Sequence, residues 1–107
     1  MFDTILAALE STGIPFRKYA WTVAPSTDYG VIALESGGDT VWADGHMVGQ
    51  VLEGSIDLFT RNAGETQFAA VQAALRGVEG LSWYFNSAQY EKDTKLMHFE
   101  WVISWAA

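Results

Sequence analysis

Cysteine is absent from this chain of 107 residues, and basic residues are few. Without cysteine there is no disulfide framework and no thiolate chemistry. Only 6 lysines and arginines stand against 13 acidic residues, giving a net charge of −7. Binding to nucleic acid or to an anionic membrane needs basic residues that contact phosphate. The balance argues against both functions, although an acidic wall would suit a surface that DNA slides past.

Long apolar runs are also missing. No run approaches the roughly 20 residues that a membrane helix needs, so we expect no membrane-spanning helix and, given the acidic charge, no membrane partner. The first residues, Met-Phe-Asp-Thr, carry no basic segment, and a secretory signal is therefore not expected. The chain reads as one made and kept in a cytosol.

What the chain has in quantity is apolar and aromatic side chains. Half of its residues are apolar and five are tryptophan. Large aromatics bury much area each, and protein interfaces favour them too. The length suits one hydrophobic core, and the chain shows no repeat, low-complexity stretch or linker. We therefore expect a single domain over residues 1–107.

Apolar periodicity and turn residues divide the chain into elements. Helices are predicted over residues 3–12 and 65–76. Strands are predicted over residues 16–22, 29–35, 40–43, 46–61, 81–85 and 96–105. Turns are predicted at 37–39, 44–45 and 91–95. Because hairpin connections dominate, the order predicts an α+β fold, with a mainly antiparallel sheet of about four to six strands and both helices on one face.

Residues for catalysis are scarce. His46 and His98 are the only imidazole bases, and no Gly-x-Ser-x-Gly elbow is present. The glycines form neither a Gly-x-Gly-x-x-Gly nor a Walker sequence that would cradle phosphate. We therefore assign no catalytic and no cofactor-binding residue, and expect no enzyme activity.

Of the enzymatic alternatives, a metal site has more support from the sequence than nucleophilic catalysis. Asp44 and His46 form one pair of ligand types on a strand, and His98 and Glu100 form another. If the two strands were neighbours, the four side chains could converge on zinc or iron. The plainer interpretation is that they are polar residues of a turn and of a solvated sheet face, and we therefore expect no metal.

The tryptophans divide between core and interface. Trp101 and Trp105 lie on the apolar side of the last predicted strand, which favours the core. Trp42 lies between two turn signals and is harder to bury. It is a candidate interface anchor, with core packing as the alternative.

The order of these features resembles the tail terminator and tail-completion proteins of long-tailed phages. The chain begins with an amphipathic helix, which is followed by a break at Ile14-Pro15. An extended segment from Pro25 to Tyr29 follows, and then Trp42-Ala43-Asp44. A long strand ends in Ile-Asp-Leu-Phe-Thr-Arg at 56–61, and a closing hairpin spans Tyr90 to Trp105. The similarity covers nearly the whole chain, as a pattern of features.

The resemblance implies a ring, commonly a hexamer, at the head-proximal end of the tail. Such a ring caps the last ring of tail tube protein, stops its polymerisation and offers a docking surface to the head-tail connector protein. It implies a virion protein of the tail or neck, made in the host cytoplasm, with DNA passing through the lumen without specific binding. On this basis we expect subunit contacts at the Gly37–Met47 region and at the hairpin tip around Glu91–Lys95. The expected contact residues are Trp42, Asp44, Met47, Glu91, Lys92, Asp93 and Lys95, and the expected lumen-facing acids are Glu53 and Asp57.

The sequence is compatible with three alternatives. The chain differs from the family pattern in its many tryptophans and few lysines, which leaves room for another head-tail connector or neck component. A small α+β binding module would be a monomer with one large apolar groove. A metal-dependent enzyme would bind its ion through His46 and His98.

Overall fold

The computed structural model describes the backbone of residues 1–107 and every side chain except those at positions 38, 39, 41, 43, 48 and 62. The helices are α1 (Phe2–Glu10) and α2 (Glu65–Arg76), the latter preceded by a 3₁₀ turn at Asn62–Gly64. The strands are β1 (Phe16–Lys18), β2 (Tyr29–Ala43), β3 (His46–Thr60), β4 (Ser82–Glu91) and β5 (Leu96–Ala106).

The strands form one sheet in the order β1-β2-β3-β5-β4. The β2–β3, β3–β5 and β4–β5 pairs are antiparallel, whereas β1 runs parallel to β2. This arrangement confirms the predicted α+β class and the mainly antiparallel sheet. The parallel β1–β2 pair follows from the loop at 19–28, which carries the chain back before β2 begins.

Both helices contribute to one hydrophobic core on one face of the sheet. Ile5 and Leu9 of α1 and Val71 and Leu75 of α2 are fully buried. They share one cluster with apolar residues of the sheet, which include Ile32, Ile56, Leu58, Trp101 and Ile103. Trp101 is fully buried, and its Nε1–H donates to Oε1 of Gln72 at 3.2 Å, so its polar atom is satisfied inside the core.

The predicted turn at residues 37–39 is wrong. These residues lie inside β2, where the pairing with β3 shifts register between Gly37 and Thr40. An extra residue in one strand of an antiparallel pair forms a bulge, so the Gly-Gly-Asp segment bends the strand without ending it. The predicted strand at 16–22 is also too long, because the chain leaves β1 at Tyr19, which has a φ of 68°.

The β2–β3 hairpin extends beyond the rest of the sheet. Strand β5 pairs with β3 only from Val51 to Thr60. Residues 40–50, named the arm below, therefore form a two-stranded extension that ends in a turn. The molecule measures 53 × 26 × 24 Å as a result. The longest extent follows the hairpin, which places the tip of the arm at one end of the molecule.

Candidate assembly surfaces

A tight turn closes the arm. Asp44 and Gly45 have φ angles of 50° and 75°, and they link the paired residues Ala43 and His46. A two-residue loop with positive φ at both positions matches the right-handed twist of its strands, and Asp-Gly is one of the sequences that favour it. The turn predicted at 44–45 is confirmed, and it fixes the direction in which the arm projects.

The tip of the arm carries two exposed apolar side chains. Trp42 and Met47 are paired across the strands and have 64% and 50% of their surface exposed. The indole Nε1–H of Trp42 donates to Oγ1 of Thr40 at 3.1 Å. The core alternative for Trp42 is therefore excluded. A projecting apolar pair of this kind suits contact with another protein surface, because interface centres favour aromatic residues and methionine.

The other predicted contact region lies at the opposite end of the sheet. Residues 92–95 form the turn between β4 and β5, with Lys95 at a φ of 60°. Just after this turn, Met97 of β5 pairs with Thr60, the last residue of β3. The tip of the arm is at the other end of β3, about 45 Å away at about 3.3 Å per residue. The two candidate contact regions thus stand at the two ends of one long molecule.

The two predicted lumen acids lie on the face of the sheet that has no helix, named the open face below. Glu53 is exposed and is paired with Ser104, and Asp57 is paired with Glu100. Asp57 is not a free charge, since its Oδ1 lies 2.6 Å from Nε2 of His98. Glu53 is therefore the more available of the two carboxylates.

His98 is held between two carboxylates on the open face. Its Nε2 faces Asp57, and its Nδ1 lies 3.5 Å from Oε2 of Glu91. The hydrogen bond with Asp57 raises the pKa of His98, and partial burial opposes that shift. The negative charges of Asp57, Glu91 and Glu100 raise this pKa further. The sequence pointed to His98 and Glu100 as a ligand pair, but gave no sign of the Asp57 contact, which depends on strand order.

Aromatic rings extend across the open face beside His98. The imidazole stacks on Phe59 at 4.3 Å, and Phe59 stacks on Tyr29 at 4.9 Å. Trp21 meets Tyr29 edge-on at 6.0 Å and donates its Nε1–H to the carbonyl of Gly30. Burial raises the pKa of Tyr29, and the nearby Glu91 adds to this effect. These contacts fix the orientation of His98 and join three strands and the 19–28 loop.

The metal alternative is not supported by this geometry. Asp44 and His46 are at the tip of the arm, whereas His98 is paired with Phe59 near the far end of β3. The two ligand pairs therefore cannot converge. No group of three or more histidine, aspartate or glutamate side chains that could hold an ion is found among the described residues. Nor does any helix among them have the length and apolarity to cross a bilayer.

One edge of the sheet has an apolar character that sequence analysis missed. Tyr84, Phe85 and Tyr90 of β4 are 58%, 40% and 58% exposed. Beside this strand is an open cavity of about 380 Å³. It is lined by Ala63, Glu65, Phe68, Phe85, Ala88, Met97 and Phe99. The prediction ended this strand at residue 85, so the second half of the apolar edge was not assigned.

Comparisons with known proteins bear on the fold. No protein-family model matches the sequence, and no curated protein matches it. A chain in the solved structure of the virion of a native gene transfer agent particle is similar in structure, with a TM-score of 0.53 and 20% sequence identity. The match covers 94% of this chain and 82% of that chain. At this identity the similarity establishes a shared fold over nearly the whole chain.

Proposed function

We propose that the protein is a structural component of a phage-like virion, and within it the tail terminator that forms a ring at the head-proximal end of the tail tube. The observation that carries this proposal is the arm, with Trp42 and Met47 exposed at its tip. A shared fold with a chain of a gene transfer agent virion supports the proposal that the protein is a virion component. The order of sequence features, which resembles that of tail terminators, supports the more specific proposal of a tail terminator.

The shape of the molecule favours assembly into a ring. Its two candidate contact regions, the tip of the arm and the turn at 92–95, differ from each other and lie at opposite ends of β3. Contacts between different surfaces of identical subunits are heterologous, and they close into rings when the rotation between subunits allows it. A ring of about six subunits, as in the family that the sequence resembles, would satisfy this requirement.

The charge of the open face suits a wall that DNA passes. Glu53, Asp57, Glu91 and Glu100 are on the strands of this face, with His98 as the partner of two of them. A net charge of −7 adds to the repulsion of phosphate. With this face toward the lumen, the ring would let DNA slide through without holding it.

The first test is the mass in solution by light scattering, followed by negative-stain microscopy with tail tubes present. We expect closed rings of the wild-type protein, or caps at one end of each tube that stop its growth. Trp42→Ala should abolish capping, whereas Tyr19→Ala, which alters an aromatic residue of 58% exposure outside the arm, should not.

A protein that never associates with itself or with tubes contradicts the proposal. Rings that bind connector complexes but ignore tube ends would instead assign the protein to another position in the neck. Capping that Trp42→Ala leaves unchanged would remove the arm from the mechanism.

A further inference from the structure

Strand β4 is an edge strand with little protection. It is the last strand of the sheet and has no neighbour on its outer side among the described residues. Residues Ser82–Tyr90 include no charged residue and no proline. Natural sheets normally protect such edges with lysine, proline, bulges, short strands or a covering loop, and of these devices β4 has only a bulge between Phe85 and Ser87. An uncharged edge with three exposed aromatic rings, in a chain of net charge −7, indicates that another strand covers it.

A second edge is open on the other side of the same sheet. Strand β1 covers β2 only from Gly30 to Ile32. The outer side of β2 from Ala33 to Ala43 has no strand partner among the described residues. This stretch is similar in length to β4, which has 10 residues. Each molecule therefore presents two strand edges of similar length on opposite sides of its sheet, and both edges contain bulges.

The cavity beside β4 suits a large apolar side chain. Phe85 and Ala88 of β4, Phe68 of α2 and Phe99 of β5 form its walls. A strand added to the outer edge of β4 would place every second side chain on the face of the sheet that has this opening, because side chains alternate above and below a sheet. The next-to-last residue of β2 is Trp42, which is 64% exposed. The cavity of about 380 Å³ is large enough for an indole ring.

We propose that β4 of one copy pairs with the outer edge of β2 in the next copy, so that the sheet continues between subunits and Trp42 enters the cavity beside β4. The occupant of the edge is thus a second copy of this chain. Backbone hydrogen bonds between the two strands supply affinity, and the Trp42 contact fixes the register. The pairing itself needs only self-association, while its closure into a ring rests on the proposed function.

Pairing between different edges accounts for more of the structure than pairing of two β4 strands. A symmetric β4–β4 contact would leave the outer edge of β2 and the exposed Trp42 uncovered. A β4–β2 contact covers both edges with one interface. It also leaves one free edge of each kind at the ends of any open chain, so that growth continues until the ring closes.

Two blocked variants and one control test the pairing. Tyr84→Glu combined with Gln89→Glu adds two carboxylates to the β4 edge, and Trp42→Glu adds one to the arm. Tyr19→Glu combined with Val23→Glu is the control, because it adds two carboxylates, as the β4-blocked variant does, at exposed positions in the 19–28 loop. We expect each blocked variant to raise the dissociation constant about tenfold or more in sedimentation analysis, and the control to assemble like the wild type.

Mixing the two blocked variants gives the sharper result. The β4-blocked variant keeps an intact arm, and the Trp42→Glu variant keeps an intact β4. One good interface can therefore form between them, and the mixture should give one-to-one dimers and nothing larger. Such dimers also establish that both variants are folded. Dimers of the Trp42→Glu variant alone would mean symmetric β4–β4 pairing and would overturn the proposal.

The other outcomes separate this inference from the proposed function. A wild-type protein that stays monomeric at millimolar concentration without tubes overturns the β4–β2 pairing. Rings that persist in the β4-blocked variant also overturn it, but they leave the tail-terminator function standing. One-to-one dimers of the two blocked variants would support the pairing. If wild-type rings nevertheless never cap tail tubes, the terminator function is rejected.

Discussion

At the scale of single residues, His98 is held by several contacts on the open face. It contacts Asp57 at 2.6 Å and Glu91 at 3.5 Å, and its ring stacks on Phe59. A histidine placed between carboxylates favours its protonated form in the folded state. His98 therefore links the charge of the open face to the stability of the fold.

We expect the free energy of unfolding to fall as the pH rises above neutrality. Because the folded-state pKa of His98 is raised, its stabilising contribution is fully present below the ordinary histidine pKa of about 6.5 and is lost as the pH rises through the folded-state value. The loss should be of the order of 1 kcal/mol, since the group is partly exposed. Urea unfolding between pH 6 and pH 9 measures it, and His98→Gln should flatten the profile.

The control for this prediction is His46→Gln. His46 is exposed beside the turn of the arm, far from Asp57 and Glu91. That variant should keep the slope of the wild type. An unchanged slope in His98→Gln, or a slope lost in His46→Gln, would show that the His98 contacts do not set the pH dependence.

At the scale of elements, Asp28 joins three parts of the chain. Its Oδ1 accepts from the hydroxyl of Thr60, which is fully buried at the end of β3, and from the backbone N–H of Arg61. Its Oδ2 accepts from Nε2 of Gln67 in α2 at 2.8 Å. The 19–28 loop is thereby tied to the end of β3 and to the start of α2, close to the open face that it borders.

Asp28→Ala should destabilise the fold by about 1–3 kcal/mol, because it leaves the buried Thr60 hydroxyl without its charged acceptor. Thermal unfolding measures the change. Ser26→Ala in the same loop is the control, since Arg61 bonds to the backbone carbonyl of Ser26 and the substitution keeps that carbonyl. Equal effects of the two substitutions would contradict a specific role for Asp28.

The sequence predicted elements well where one local pattern decided the outcome. Helix α2 begins and ends where its apolar spacing and Gly77 indicate, and β5 follows its alternation of apolar and polar residues. The prediction failed where a distant strand decided it. Gly37 reads as a turn residue, yet pairing with Leu52 keeps it in β2. Likewise, the polar residues that follow Phe85 gave no apolar pattern, and pairing with β5 extends β4 to Glu91.

Features of the candidate surfaces could also be predicted from the sequence only where local residues decide them. The exposure of Trp42 and the turn at Asp44-Gly45 were within reach of sequence, because flanking turn signals are local. The contact of His98 with Asp57 was not, since it depends on β3 and β5 being neighbours. The cavity beside β4 required residues from β4, β5 and α2 together. The predicted contacts at 91–95 stay predictions, and their position opposite the arm is what the structure adds.

At the scale of the whole molecule, charge opposes any assembly of identical subunits. Each copy has a net charge of −7, so neighbours in a ring repel one another. The repulsion is greatest where the copies converge, which in the proposed ring is the lumen. Salt screens exposed charges over about 10 Å at 0.1 M. Assembly of this protein should therefore strengthen with ionic strength, the reverse of a complex held by opposite charges.

Comparison of two single-charge variants tests where the repulsion acts. Glu53→Gln removes a carboxylate from the open face, and Glu79→Gln removes an exposed one from the loop between α2 and β4. Both change the net charge equally, so a general effect of charge would lower the salt needed for ring formation equally. If the open face lines the lumen, Glu53→Gln should lower it more, because all copies bring this carboxylate toward one axis. Light scattering across a salt series measures the midpoint, and equal midpoints would place the open face outside the lumen.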